Sequence, residues 1–345
     1  MVSLRSAGRP GVKEDENRAC YALAMSEKRM YDCVIAGSCV LDVLCRPVDL
    51  NRPIGRGKLH PVEPLTVTAG GITSNAGITM SRMGMRTAVF SYVGDDAWGP
   101  VIREIYRREG VDDCALMTHP TGATSTTVAA VDGSGERSFF HCVGAPKLLD
   151  AAAFLDRLEL FRGSRFLLLG YYSLMPNLDV DLAIVFEQVR AVGCRTALDA
   201  AGEGGSLAGG LDTVLPHLDV FVPSLSEARH QTGESDPRKI IDELRATGTK
   251  ALLGVKLGGA DGVLLSPADG QFIHVPSFRP PGEVIDTTGA GDSFYAGLLT
   301  GLIKGMSPQE AGRLGTATAA CSVTALGGYA GGLDYAATAA IAGLG

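Results

Sequence analysis

Short apolar runs alternate with helix-like segments through the second half of the chain, and this alternation constrains the fold more than any other feature. The apolar runs lie at 165–172, 194–200, 219–224 and 251–258. The helix-like segments lie between and beside them, at about 177–192, 225–232 and 237–247. Strands that are apolar throughout and separated by helices are typical of a parallel sheet covered on both faces. The sequence therefore predicts an α/β protein with a central, mostly parallel sheet.

Two segments do not fit this layered core, and both have the alternating pattern of exposed strands. Residues 41–68 are interrupted by prolines, and residues 124–143 form a predicted hairpin around Asp132-Gly133. We predict that the two segments form one small sheet beside the main domain. Residues 1–30 mix charged residues without a long apolar stretch, and they are predicted to be a flexible tail that precedes a single domain at 31–345.

The composition and net charge argue against some classes of binding partner. The formal net charge is −7, the pI is about 5.4 and no run of five basic residues occurs, which argues against nucleic acid and acidic membranes as partners. No apolar run reaches the length of a membrane-spanning helix. The eight cysteines include no C-x-x-C pair, a usage typical of reduced thiols and of a cytoplasmic protein.

The stretch DTTGAGDSFYAG at 286–297 carries the clearest chemical signal. Gly289, Ala290 and Gly291 immediately precede a helical pattern, so their small side chains and unpaired amides would suit a bound phosphate. Asp292 follows directly, where a carboxylate would repel that phosphate. Two interpretations remain open from this stretch: Asp292 stabilises the start of a helix, or it accepts a proton from an attacking hydroxyl group.

Other nucleotide-binding and hydrolase motifs are missing from the sequence. No G-x-x-x-x-G-K-[ST] loop occurs, no G-x-G-x-x-G follows the first strand, and no G-x-S-x-G elbow is present. A nucleotide would therefore have to be held by a different arrangement.

Three stretches resemble the ribokinase (PfkB) family of carbohydrate kinases. DTTGAGDSFYAGLL is similar to the family's C-terminal signature, residues 69–99 resemble its N-terminal signature, and residues 255–265 resemble its nucleotide-loop strand. The resemblance covers roughly residues 31–340. It implies a ribokinase-like three-layer α/β/α fold with a small β-sheet lid, and a kinase that uses ATP to phosphorylate a hydroxyl group.

The resemblance also implies roles for particular residues. Asp292 matches the family's catalytic base, and Gly289, Ala290 and Gly291 match its anion hole. The residues that match the family's sugar-binding positions are Asp42, Gly70, Gly71 and Asn75. By the two-residue period of a strand, Phe139 and His141 point the same way and would close over a sugar ring.

Further matches concern ATP and metal ions. Glu227 matches the residue that organises Mg²⁺, although Ser224 stands where the family motif begins with Asn. Residues matching positions near the nucleotide are Lys256, Gly258, Gly262 and Thr316. Residues matching a monovalent-cation site, which would bind K⁺, are Asp286, Thr288, Ser322, Ala325 and Gly327.

The substrate remains open among several candidates. Gly170-Tyr171-Tyr172 stands where ribose-specific members carry Glu, and Pro146 stands where many sugar kinases carry Asn. We expect phosphorylation of a primary hydroxyl of a small sugar such as ribose, fructose or 2-keto-3-deoxygluconate. The alternatives are a nucleoside kinase of the adenosine or inosine type and a catalytically inactive, sugar-sensing regulatory protein. The exposed face expected for 41–68 also predicts a homodimer through the lid.

Overall fold

The computed structural model describes residues 30–51, 57, 59–202 and 205–345. The predicted N-terminal tail therefore lies outside the described residues, apart from Met30. Within the described ranges, no helix combines the length and the apolar character needed to cross a bilayer.

A nine-stranded sheet forms the centre of the molecule. In chain order its strands are β1 (Tyr31–Gly37), β4 (Thr87–Gly94), β5 (Leu116–His119), β8 (Ser164–Tyr172), β9 (Arg195–Ala200), β10 (Val220–Phe221), β11 (Leu252–Gly258), β12 (Gly262–Ser266) and β13 (Ile273–Val275). Their order across the sheet is β13-β12-β11-β10-β9-β8-β1-β4-β5. All neighbours pair in parallel except β11 with β12 and β12 with β13. The predicted mostly parallel sheet is confirmed.

Alternation along the central strands explains the three layers. In β1, Val34 packs in the apolar core on one face of the sheet, whereas Cys33 and Ile35 pack in a second core on the other face. In β8, Leu167 packs in the first of these cores and Phe166 packs in the second. Since successive side chains of a strand point to opposite faces, strands that are apolar throughout require cover on both sides.

Helices supply that cover. They are α1 (Ile72–Arg82), α2 (Trp98–Arg108), α3 (Ala151–Leu155), α4 (Leu158–Arg162), α5 (Pro176–Asp179), α6 (Leu182–Ala191), α7 (Leu211–Val214), α8 (Leu225–Thr232), α9 (Pro237–Ala246), α10 (Ala290–Ile303), α11 (Pro308–Ser322) and α12 (Tyr335–Ala342). Short 3₁₀ turns lie at Ala145–Leu148, Leu207–Gly209 and Leu215–His217. Side chains of α6 and α9 join the first core, and those of α1, α10 and α11 join the second.

Several details differ from the sequence prediction. The helix predicted at 177–192 is two helices, α5 and α6, separated at Val180 and Asp181. The sequence also did not predict β5, whose four residues are too few to establish a period, or α12, whose alanine-rich sequence has no apolar stripe.

The two ends of the segment 41–68 and the segment 124–143 form one small four-stranded sheet, which we call the lid. Its remaining strands are β2 (Val40–Cys45), β3 (Thr66–Gly70), β6 (Thr126–Val131) and β7 (Arg137–Cys142), in the order β3-β2-β6-β7. Residues 52–56 and 58, in the middle of the first segment, lie outside the described residues. The predicted hairpin is the antiparallel pair β6 and β7. One face of the lid lines a cavity of the main domain, and the opposite face is exposed.

Candidate active site

Two cavities meet at the carboxyl ends of the parallel strands. The strand order reverses between β1 and β8. From β1 the chain adds β4 and β5 on one side of that strand, and then adds β8, β9 and the later strands on the other side. Ligands of open α/β sheets bind at such a switch point. A cavity of 440 Å³ lies under the lid and a second, of 690 Å³, lies beside it; Tyr171 lines both.

The glycine-rich loop before α10 forms part of the wall of the larger cavity. Gly289 adopts a φ of 74°, a left-handed conformation that favours glycine, and α10 begins at Ala290. A Cβ atom on Gly291 would lie 3.2 Å from the Nζ atom of Lys256, so the loop and the lysine approach each other closely. Gly289, Ala290, Gly291 and Asp292 all line this cavity, as an anion-binding loop would require.

Asp292 is buried, with 4% of its surface exposed, and its carboxylate faces neighbouring side chains. Its Oδ2 atom accepts hydrogen bonds from Nδ2 of Asn75 at 2.8 Å and from the hydroxyl of Tyr171 at 2.9 Å. Burial raises the pKa of Asp292 above its ordinary value, although these two hydrogen bonds and the Lys256 ammonium group act to lower it. No side chain caps α10, but Asp292 lies in the first turn of this helix, where its charge also stabilises the helix start.

Tyr171 is a contact of Asp292 that sequence reasoning missed. The residue lies near the end of β8, where the pairing with β9 becomes irregular, and it adopts a φ of 64°. A non-glycine residue in this conformation costs about 1–3 kcal/mol, and such strain is typical of functional sites. The sequence showed an aromatic pair at the strand end but gave no sign of the backbone conformation that accompanies this contact.

A buried ion pair lies beside the same loop. The Nζ atom of Lys256 is 2.9 Å from Oδ1 of Asp199, and the two side chains are 14% and 4% exposed. Burial raises the pKa of Asp199 to about 7, against the lowering effect of the lysine. Burial lowers the pKa of Lys256, but the Asp199 and Glu227 carboxylates outweigh it and raise that pKa, so the lysine stays protonated at neutral pH. Asp199 was not predicted, although a single carboxylate inside an apolar run was a visible signal.

Glu227 lines the larger cavity from the first turn of α8. Its Oε2 atom accepts the backbone N–H of Ser224 at 2.7 Å, and the Ser224 hydroxyl accepts the N–H of Glu227 at 3.3 Å. Ser224, at the position where the family motif has Asn, therefore serves as the N-cap of α8. In the described part of the chain, no three acidic, His or Cys side chains gather to hold a metal by themselves. That is compatible with Mg²⁺, which is usually bound by one or two carboxylates together with substrate phosphates and water.

The residues predicted to lie near the nucleotide share this cavity. Its walls include Lys256, Gly258, Gly262 and Thr316. Gly262 has a φ of 76°, and a Cβ atom there would collide with the carbonyl oxygen of Val275. The position therefore requires glycine.

Most residues predicted to bind the sugar line the smaller cavity: Asp42, Gly71, Asn75, Phe139 and His141. Gly70 does not line it, but a Cβ atom at Gly70 would collide with the carboxylate of Asp42, so this glycine makes room for it. Burial raises the pKa of Asp42 to about 6, although a hydrogen bond from Thr127 lowers it. Nδ1 of His141 is 3.0 Å from the hydroxyl of the same threonine.

Only some of the residues predicted to bind a monovalent cation line a cavity. Asp286, Thr288 and Gly327 line the smaller cavity, whereas Ser322 and Ala325 line neither cavity. The sequence did not predict the contact that dominates here. Nη1 of Arg137, on the lid, donates a hydrogen bond of 2.6 Å to Oδ1 of Asp286.

Comparison with known proteins agrees with this architecture. A family model described as "pfkB family carbohydrate kinase" matches residues 30–334. Ribokinase of Haemophilus influenzae is 28% identical over 275 residues, which are 77% of this chain and 86% of that protein. Fructokinase of Klebsiella pneumoniae is 28% identical over 291 residues, with 78% and 83% covered. The structure of Arabidopsis thaliana ribokinase complexed with ribose and ATP has a TM-score of 0.78 at 23% identity, covering 90% of this chain and 98% of that one.

Proposed function

The chain belongs to the pfkB family of carbohydrate kinases, which transfer a phosphoryl group to a sugar hydroxyl, and on this premise we propose its donor, its acceptor and its catalytic groups. The proposed donor is ATP with Mg²⁺, and the proposed acceptor is a primary hydroxyl of a small sugar. The observation that carries the proposal is the position of Asp292, a buried carboxylate that lines the larger cavity beside the amide loop. Its hydrogen-bond partners Asn75 and Tyr171 both line the smaller cavity.

We assign proton acceptance to Asp292. Asn75 and Tyr171 both donate to Oδ2, which fixes the orientation of the carboxylate and favours Oδ1 as the oxygen that takes the proton. A base at this position would deprotonate the sugar hydroxyl as it attacks the γ-phosphorus atom of ATP. The raised pKa brings the carboxylate closer to neutral pH, where general-base catalysis is most effective.

We assign the stabilisation of phosphate charge to the amides of Gly289, Ala290 and Gly291 and to Lys256. Backbone N–H groups at the start of a helix and a protonated lysine are fixed positive partners for an anion, and they require little reorganisation during the reaction. We assign the binding of Mg²⁺ through water to Glu227, which lines the larger cavity. Mg²⁺ would supply neutralisation of charge on the phosphate oxygens.

The smaller cavity combines a polar side with an apolar wall. Asp42, Asn75 and Thr127 offer hydrogen-bonding groups suited to a polyol, and Phe139 and Leu174 supply apolar surface. This supports a monosaccharide or a close derivative, with ribose, fructose and 2-keto-3-deoxygluconate as first candidates. The apolar wall also favours a second candidate, a nucleoside of the adenosine or inosine type, whose base would occupy it.

A screen of ADP release tests the proposed function and separates the two candidates. The purified protein is incubated with ATP and Mg²⁺ and with each of ribose, fructose, 2-keto-3-deoxygluconate, adenosine and inosine. We expect ADP release that depends on one of the three sugars and is abolished by removal of Mg²⁺. Release with a nucleoside alone would favour the second candidate, and no acceptor-dependent release in any reaction would contradict both.

Sugar binding is expected to depend on the ionisation of Asp42. Because the pKa of this carboxyl group is raised to about 6, its acceptor form is lost as the pH falls through that value, and KM for the sugar should rise. Asp42→Asn should raise KM by about 10- to 150-fold, as expected for a lost charge-assisted hydrogen bond, and should remove this pH dependence. Steady-state kinetics across the pH range measure both effects. Glu63→Gln, at an exposed carboxylate between β2 and β3, is the control, and an unchanged sugar KM in Asp42→Asn would exclude Asp42 from the site.

We propose that the exposed face of the lid forms a homodimer interface. The register places Val67, Val43, Val128 and Phe140 in one row across the four strands, and Phe140 is 57% exposed. A continuous apolar row on an exposed sheet is typical of an association surface. Light scattering is expected to show a dimer for the wild type and a monomer for Phe140→Glu. A wild type that is monomeric at micromolar concentration would contradict this proposal.

A further inference from the structure

Arg137 joins the lid to the loop that leads into α10. The residue is the first of β7, and its side chain is 20% exposed. Its Nη1 atom donates to Oδ1 of Asp286 at 2.6 Å and to the hydroxyl of Thr288 at 3.2 Å, and its Nη2 atom is 3.5 Å from the carbonyl oxygen of Ile285. The guanidinium group therefore contacts two of the residues that resemble a monovalent-cation site.

The two carboxylate oxygens of Asp286 already accept three hydrogen bonds in this arrangement. Its Oδ1 atom accepts the backbone N–H of Thr288 at 2.9 Å as well as Arg137, and its Oδ2 atom accepts the N–H of Gly327 at 2.9 Å. Burial raises the pKa of Asp286, but the hydrogen bonds from Arg137, Gly327 and Thr288 together hold it below its ordinary value. One full positive charge already balances the carboxylate, so a K⁺ ion at the same position would meet a neutral pair.

We propose that Arg137 is a built-in cation that takes the place of a monovalent metal ion, so that the enzyme works without K⁺. The guanidinium group neutralises Asp286 and holds the segment 286–288, which continues directly into the amide loop at 289–291 and the base Asp292. Arg137 is thus a positioning residue for the amide loop. Because Arg137 is carried by β7, the lid supplies this charge to the loop.

Substitution of Arg137 should convert the enzyme to dependence on K⁺. Arg137→Met removes the charge and leaves space beside the buried Asp286 carboxylate. We expect turnover to fall by about 10- to 100-fold, in keeping with the loss of charge-assisted hydrogen bonds, and to recover in part with K⁺ but not with Li⁺ at constant ionic strength. Wild-type turnover should be the same with either ion.

Thermal denaturation gives a second readout that does not depend on turnover. The Tm of Arg137→Met should rise specifically with K⁺, whereas the Tm of the wild type should respond equally to K⁺ and Li⁺. Since the turnover assay rests on the proposed function, failure to phosphorylate any sugar would count against that function, while the Tm comparison would still test the role of Arg137.

Two further variants complete the test. Arg137→Lys keeps a positive charge, so it should fold, retain partial turnover and show no K⁺-specific response even if Arg137→Met does not fold. Arg46→Met removes a different guanidinium group beside the lid, one whose contact with Glu63 is largely exposed, and should leave turnover unchanged. A K⁺-specific stimulation of the wild type, a K⁺ response in Arg137→Lys, or loss of turnover in Arg137→Met without any gain of K⁺ response would each overturn the proposal.

Discussion

Asp292→Asn is expected to reduce turnover by about 10²- to 10⁴-fold, the usual contribution of a general base, while the protein still folds and binds both substrates. The amide has nearly the shape of the carboxylate and can keep a hydrogen bond from Tyr171 or Asn75, but it cannot accept a proton from the sugar. Binding of ATP should be unchanged or slightly tighter, because a negative charge near the phosphates is removed. Steady-state kinetics at saturating Mg²⁺, with separate binding measurements for each substrate, test these expectations.

A variant at the start of another helix is the control for the base assignment. Asp334 caps α12 by accepting the N–H of Ala337, so Asp334→Asn exchanges one good cap for another and should leave turnover unchanged. If Asp292 only stabilised a helix start, its own amide variant would behave in the same way. A folded Asp292→Asn protein that binds both substrates and keeps more than about a tenth of wild-type turnover would refute the base.

Lys256→Met is expected to have the second largest effect, on stability and on turnover together. The substitution leaves the buried Asp199 carboxylate without its partner at 2.9 Å, and breaking a buried pair in this way lowers the free energy of unfolding by about 3–5 kcal/mol. Turnover should fall by about 10²-fold, since the positive charge to which we assign stabilisation of the phosphates is lost. Chemical denaturation and steady-state kinetics measure the two effects.

The double variant Asp199→Asn with Lys256→Met distinguishes the structural role of the lysine from its role toward the phosphates. With both charges removed, no buried charge lacks a partner, so much of the lost unfolding free energy should return. Turnover should not return, because the phosphate-facing charge is still missing. If the double variant regained wild-type turnover, Lys256 would serve only to balance Asp199.

Local patterns in the sequence predicted those parts of the fold that depend on local chemistry. The apolar runs between 165 and 258 gave the parallel sheet, because strands covered on both faces must be apolar on both faces. The start of α11 at Pro308 likewise depends on local chemistry, because the capping box of Ser307 and Glu310 spans only four residues of the sequence. The loop before α10 lies on a cavity wall, as its glycines predicted.

The contacts that complete the candidate site could not be read from the sequence, because each joins residues far apart in the chain. Arg137 and Asp286 are separated by 149 positions, and Tyr171 and Asp292 by 121. Neither local propensity nor hydrophobic period reports such a pairing. The resemblance to a family supplied positions for Asp292 and Asn75, but it gave no hint that a lid arginine would contact two residues of the predicted cation site.

The most direct test of the central claim is to follow the reaction by ³¹P NMR with ATP, Mg²⁺ and the sugar identified by the screen. The account predicts that a phosphate monoester signal grows in step with ADP, that coupling to two protons splits it into a triplet, as for a primary hydroxyl, and that it is nearly absent with Asp292→Asn. Growth of inorganic phosphate alone in step with ADP, or a monoester signal formed equally fast by Asp292→Asn, would contradict it.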